Sequence, residues 1–423
     1  MAKNIIVYTV VHQPRRLKLP AQPIPKGANV NDIAQCLFDE KMNEKYFHKV
    51  ARTCYYPAAD MFQSLVDRGL RLSIGFSYSF LRQAQIYDAL LLKKFQQLVS
   101  HPNVELVGVE PYHSFLFYLD VNAFIKNMQD MVSFMEYLFG KRPVVTDTTE
   151  MFQSNEIYFA LAKAGFKGTL VDGRPWVMGW RQPSYLYKYD GGPYIFPRHY
   201  QLSDDVGYRF SNKHWSGYPL FADTYADWLT MAEGDFVFLG WDFETFGEHH
   251  RREMGIFEFM KGVVEEVQKR QGEFILPSEA MEKFAKVSHT LPLSQHPSTW
   301  AGEGSTEFFL GNSVQQSIFR LMHHAYHKAL LTNNTELVEL AMWLLQSDNL
   351  HLVQWFGKHG NEAEVSAYFT PSEWWRLTPA GIVWEMQQVY KNFIQAMDAH
   401  IPFIRQQQTV ASYRPVLEDI LYR

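Results

Sequence analysis

From the N-terminus to about residue 285, short apolar runs alternate with longer stretches whose apolar residues recur at helical spacing. The short runs are 5–11, 71–76, 104–109, 143–146, 168–171, 194–197 and 236–240. Their length and β-branched content predict strands. Helical spacing predicts helices at 155–164, closed by Gly165, and at 254–270, closed near Gly272. Strands alternating with helices imply a mainly parallel sheet, either open or closed toward a barrel. The residues that follow the runs help to choose. His12 and Gln13 follow the first, Glu110 and His113 the third, Asp147 and Glu150 the fourth. Asp172 follows the fifth, Arg198 and His199 the sixth, Asp242 and Glu244 the seventh. A parallel barrel gathers all such strand ends on one face, whereas an open sheet gathers only those near its switch point. The pattern therefore predicts an α/β chain with a seven-stranded TIM-like barrel.

Residues 286–306 are rich in Pro, Ser, Thr and Gly, and predict a linker or long crossover. Beyond them the apolar spacing is helical, at 313–331, 336–345 and 379–399. The expected domains are a barrel over 1–290, a linker over 291–306 and an α-helical domain over 307–423.

Composition narrows the function classes. The 423 residues are 47% hydrophobic and 20% charged, an ordinary globular balance. The net charge of −5, without a Lys/Arg block, argues against nucleic acid or an anionic membrane as partner. Two cysteines, Cys36 and Cys54, form neither a metal-type pair nor a disulfide framework, which suits a reducing compartment. The apolar run at 5–11 is too short to span a bilayer and lacks a cleavage pattern, so a cytoplasmic location is the default. Aromatic residues reach 16%. They serve either as a large aromatic core or as flat platforms for sugar rings.

Acids recurring after successive strands suggest glycosidic bond cleavage, which uses two carboxyl groups across one bond. Glu110, Asp147, Glu150, Asp172, Asp242 and Glu244 are the candidates, and spacing alone does not choose the pair.

Several ordered blocks make the choice. HQPRR (12–16), VGVEPYHSF (107–115), DTTEMFQSNEIYFALAKAGFKGTLVDG (147–173), WDFETFGEH (241–249) and LLQSDNL (344–350) resemble, in order, the five sequence regions of glycoside hydrolase family 57. PRHYQLSDDVGYRFSN (197–212) and FFLGNSVQQ (308–316) resemble segments of its α-amylase-type members.

The resemblance implies a retaining α-glucan hydrolase on an incomplete seven-stranded barrel, with Glu150 as nucleophile and Asp242 as general acid/base. It implies substrate contacts at His12, Glu110, Glu244 and Asp348, with His113 and His249 orienting the carboxylates or the sugar; Gln13, Asp172, Trp176, Arg198 and Trp241 are further candidate substrate contacts. Strand periodicity would put Asp242 and Glu244 on one face. Asp348 would act from the helical domain. Asp204, Asp205 and Arg209, with Arg198, are expected to form an ion-pair network at the barrel top. Trp176, Trp180 and Trp241 are candidate stacking platforms. No cofactor or metal is expected, and the partner is an α-glucan or maltooligosaccharide. The chain departs from the amylase-type pattern after Asp348, where Asn349, Leu350 and His351 stand, with Trp355 later.

Three rivals remain. A 4-α-glucanotransferase would use the same covalent intermediate. A metal-dependent deacetylase- or mannosidase-like enzyme would draw on His12, His113, His249 and Asp242, whose spacing gives no compact ligand set. The paired His323 and His327 stand four apart in a helix, far from the acids in sequence. A degenerate, glycan-binding relative would be expected to lose a catalytic acid, and both Glu150 and Asp242 are kept.

Overall fold

The computed structural model describes residues 4–354 and 371–402, so Trp355 lies outside the described residues. Among the described residues, ten strands form one sheet: β1 Asn4–Val11, β2 Leu72–Phe76, β3 Val104–Gly108, β4 Val145–Thr146, β5 Gly168–Asp172, β6 Tyr187–Lys188, β7 Tyr194–Arg198, β8 Phe236–Asp242, β9 Glu273–Phe274 and β10 His289–Thr290. The order β8-β1-β2-β3-β4-β5-β7 is parallel throughout. These are the seven strands expected from the apolar runs. The two-residue strands β6 and β10 extend the sheet beyond β7, and β9 pairs with the start of β1. No ladder joins β7 to β8. Two bonds bridge them instead: His199 N–H donates to the Phe238 carbonyl at 2.8 Å, and Arg198 Nε donates to the Gly240 carbonyl at 2.9 Å. The sheet is thus a seven-stranded half-barrel.

Burial on both faces explains why these strands read as continuous apolar runs. All eight residues of β1 are buried. Much of the aromatic content packs between the sheet and its helices. Tyr55, Phe80, Phe95, Phe243 and Phe62 form a chain of rings, each 5.0–5.5 Å from the next between centroids. One helix start shows how the sequence sets a boundary. Ser154 accepts from Ile157 N–H at the start of Asn155–Ala164, which closes on Gly165 at φ 98°.

The described chain divides into two compact units, Met1–Pro14 with Asn43–Phe308, and Arg15–Met42 with Phe309–Arg423. Residues 291–306, expected as a linker, belong to the first unit, and residues 15–42, expected in the barrel, belong to the second. Physical bonds account for both. In the first unit Gln153 and Ser298 exchange backbone hydrogen bonds of 2.9 and 2.8 Å, and Asn155 N–H donates to the Ser294 carbonyl at 2.8 Å. In the second, Arg15 N–H donates to Gln346 Oε1 at 2.8 Å, Gln346 Nε2 donates back to the Arg15 carbonyl at 3.0 Å, and Arg15 stacks 4.0 Å over Phe38. The second unit's helices include Val30–Leu37, Ser313–Leu330, Thr335–Leu344 and Thr378–Met397, the last three close to expectation. Among the described residues, no helix is long and apolar enough to cross a membrane.

Candidate active site

The chemistry-bearing residues of the first unit collect beyond the C-terminal ends of its strands. After β1, His12 Nδ1 lies 2.8 Å from Ser77 Oγ, which also caps helix Tyr78–Tyr87. The helix start thereby fixes the imidazole. Its ring stacks on His113 at 4.1 Å between centroids. Gln13 is buried and donates from Nε2 to Tyr55 Oη at 2.9 Å. After β3, Glu110 is buried and accepts from Ser114 N–H at 2.6 Å, while its Oε1 has no hydrogen-bond partner. Burial pushes its carboxyl up to about 8, against the pull of the Ser114 donors.

After β4 the chain makes a strained turn. Glu150 and Met151 adopt φ 51° and 52°, and His113, facing them from the β3 loop, adopts 53°. Left-handed non-glycine residues are costly and cluster at sites of function. The turn is held by Thr299 Oγ1, which donates to the Glu150 carbonyl, and by Trp300 N–H, 3.4 Å from the same oxygen. The Glu150 side chain accepts from Trp300 Nε1 at Oε2, at 2.8 Å, and presents Oε1 3.9 Å from His113 Nδ1. Asp147 is buried beneath. It accepts from Tyr8 Oη at 2.8 Å and Thr148 N–H at 2.7 Å, and burial pushes it up to about 7.

Arg198 is the buried strut of the cluster. It donates to Asp172 Oδ1 at 2.9 Å and Asp204 Oδ1 at 2.5 Å, and lies 5.6 Å from the Trp300 ring centroid. Asp172 also accepts from Arg174 at 2.7 Å, and Arg209 pairs with Asp205 at 2.8 Å. These are ion pairs within the protein, tying β5, β7 and the following helix together.

Asp242 ends β8, opposite Val10 in register. The strand stops there, and Phe243–Thr245 is a 3-10 turn. A period of two therefore does not govern Glu244, which the turn directs inward. Glu244 is buried and accepts from Tyr55 Oη at 2.8 Å. Burial, then the nearby Asp242, raises its carboxyl well above the usual range. His249 N–H donates to the Glu244 carbonyl at 2.9 Å, and burial beside His250 pushes the His249 imidazole down to about 4. Glu248 pairs with Lys49 and accepts from Thr53 Oγ1, holding the loop. His250 sits between Ser211 Oγ and the Gly207 carbonyl, at 2.8 and 3.0 Å, a structural position.

One pocket is lined by Arg198, Tyr208, Trp241, Asp242, His249 and Trp300. Through Trp300 it adjoins Glu150. Of the tryptophans expected as platforms, Trp241 is only 2% exposed and its indole donates to the Ser203 carbonyl at 2.7 Å, so it packs. Trp176 is 48% exposed, and Trp180, at 84%, carries the Arg181 guanidinium 4.8 Å over its ring. Asp348 opens the short helix Asp348–His351 in the second unit, where it is buried. His323 and His327 lie on helix Ser313–Leu330 of that unit, ring centroids 4.3 Å apart.

Sequence reasoning missed Trp300, Tyr8, Tyr55, Ser77 and Tyr208. Trp300 had one weak signal, a lone tryptophan in a polar, Pro/Ser/Gly-rich stretch. Tyr8 lay in the apolar run 5–11, which read as a strand, and Tyr208 lay in segment 197–212, where the charged residues drew attention instead.

Comparison with known proteins adds three findings. The profile described as "Glycosyl hydrolase family 57" matches residues 6–294. A Methanocaldococcus jannaschii protein whose name assigns it provisionally as an alpha-amylase is 31% identical over 353 residues, covering 81% of this chain and 74% of its own. Solved structures share the fold. A GH57-type branching enzyme of Pyrococcus horikoshii has TM-score 0.65 at 14% identity, over 93% of this chain and 97% of its own. A 4-alpha-glucanotransferase of Thermococcus litoralis has TM-score 0.59 at 14% identity, over 83% and 56% respectively.

Proposed function

The chain belongs to glycosyl hydrolase family 57 and is a glycoside hydrolase-type enzyme; from that premise we propose that it cleaves α-1,4-glucosidic bonds of starch- or glycogen-type glucans or maltooligosaccharides with retention. Glu150 is the nucleophile and Asp242 the acid/base. In the first step a Glu150 oxygen attacks the anomeric carbon, the glycosidic C–O bond breaks, and Asp242 gives its proton to the leaving oxygen. In the second, Asp242 takes a proton from water, the water oxygen bonds to the same carbon, and Glu150 leaves as carboxylate.

The single observation that carries this reading is that one residue, Trp300, links the two acids. It lines one pocket with Asp242 and is bonded to Glu150. His12, His113, Glu110 and Glu244, buried around these acids, are proposed as groups that order the sugar ring or the carboxylates. Exposed Trp176 is the proposed platform for a more distant glucose unit. Asp348 is a proposed substrate contact on the strength of its sequence block.

Transfer to a second sugar hydroxyl in place of water is the alternative outcome of the same intermediate, favoured by the fold shared with a glucanotransferase. A product profile on amylose, pullulan and maltooligosaccharides separates the two. Hydrolysis raises reducing ends with turnover; transfer disproportionates chain lengths without raising them. Glu150→Gln should lower either activity by about 10⁴-fold or more. Undiminished turnover in Glu150→Gln would refute the nucleophile assignment.

A further inference from the structure

We infer that Trp300 is a positioning residue for the nucleophile: its indole N–H fixes Oε2 of Glu150, so that Oε1 is the oxygen presented to the anomeric carbon. The inference rests on the proposed role of Glu150. Trp300 lies outside the stretch matched by the family profile, which ends at 294. It therefore adds a residue from the segment 298–300 that the strand-end pattern does not supply.

Three contacts from that segment converge on Glu150. Thr299 Oγ1 and Trp300 N–H both reach its carbonyl oxygen, and Trp300 Nε1 donates to Oε2 at 2.8 Å. The first two maintain a left-handed turn that glutamate would not adopt unaided. The third orients the carboxylate, since a bond to one oxygen removes the freedom of the terminal torsion. The indole is itself fixed. Trp300 is buried, and its ring lies 5.6 Å from Arg198, whose guanidinium is locked by Asp172 and Asp204. Ser298 is tied to Gln153 by a reciprocal backbone pair. So the indole cannot drift without loosening β5, β7 and the turn after β4.

A donor on the carboxylate favours its charged form and favours its departure as a carboxylate in the second step. Other groups also face Glu150. His113 Nδ1 lies 3.9 Å from Oε1, and the Tyr208 hydroxyl feels both Glu150 and Asp242. Arg198 stands behind the indole, and His249 lines the same pocket. None of these is removed by changing Trp300.

The test compares Trp300→Phe, which keeps the packing and loses the donor, with the wild-type enzyme. Expected are a kcat about 10- to 100-fold lower with little change in KM, and an acidic limb of kcat/KM moved upward by about one pH unit or more. Trp300→His, which retains a ring N–H, should restore part of the loss. An acidic limb and kcat unchanged in Trp300→Phe would overturn the inference. Should that variant fold poorly, the ¹H–¹⁵N signal of the Trp300 indole decides. It should move in Glu150→Gln, where the acceptor becomes neutral, and an unmoved signal would overturn the inference. Full turnover in Glu150→Gln would instead sink the nucleophile assignment, while the indole signal would still report the bond.

Discussion

At the scale of single residues, the site is built from buried polar groups whose partners are other side chains. Tyr55 shows the principle. Its hydroxyl lies 2.8 Å from Glu244 Oε1 and 3.2 Å from the His12 carbonyl, two acceptors for its one proton, while Gln13 Nε2 donates to its oxygen. A carboxyl with few donors in a dry place resists ionisation. Glu105, on β3 and away from the site, allows that effect to be measured without touching catalysis. Its Oε2 accepts from Ser278, its Oε1 has no partner, and burial pushes it up to about 7 from 4.5. A raised carboxyl pKa means that the native state holds the proton more tightly than the unfolded chain. The stabilisation is full below about pH 4.5 and is lost as pH rises through about 7. Within that window each pH unit costs up to about 1.4 kcal/mol. We expect Glu105→Gln to flatten the decline of the thermal midpoint between these pH values. A midpoint falling as steeply in the variant as in the wild type would contradict this.

At the scale of elements, the loop 241–250 is placed by backbone as much as by side chains. Gly247 has φ +116°, and a Cβ there would lie 2.0 Å from the Thr53 carbonyl oxygen. That carbonyl belongs to the π-helical turn Ala51–Tyr55, which also carries the Tyr55 ring to Glu244. Gly247→Ala should therefore cost more than about 1 kcal/mol of stability and displace Glu244 and His249. The check is a urea midpoint together with kcat/KM, and both should fall; wild-type values would mean that the close approach is dispensable. The strands were legible because burial on both faces leaves little but apolar residues. The fourth was read as 143–146 and forms only at Val145–Thr146, since Pro143 has no N–H for a ladder. The 3-10 turn after Asp242 was not legible, because the residue pattern of Phe243–Thr245 does not distinguish a turn from a continuing strand.

At the scale of the whole molecule, the seven strands and the helical region followed from the periodicities, the polar residues after the strands favoured a barrel over an open sheet, and its incompleteness came from the family resemblance. Partnerships distant in sequence did not. Nothing in the sequence around Arg15 announces that it will bond Gln346, more than 300 residues on. Likewise the Pro- and Ser-rich composition of 286–306 describes loop backbone truthfully, yet does not reveal that Trp300 ends on Glu150. The high aromatic content, read either as core or as sugar platforms, proves largely core, with Trp241 on the packed side and Trp176 exposed. A covalent sugar on Glu150 distinguishes this mechanism from one run by any other acid of the site, and that intermediate can be trapped. A 5-fluoro-α-glycosyl fluoride would lose fluoride to the nucleophile and hydrolyse slowly, and digestion with mass spectrometry would locate the adduct. Expected is one glycosyl unit on the peptide bearing Glu150, and none in Glu150→Gln. An adduct on Asp147, Asp242 or Glu244, or turnover with no adduct and inverted product, would contradict this mechanism.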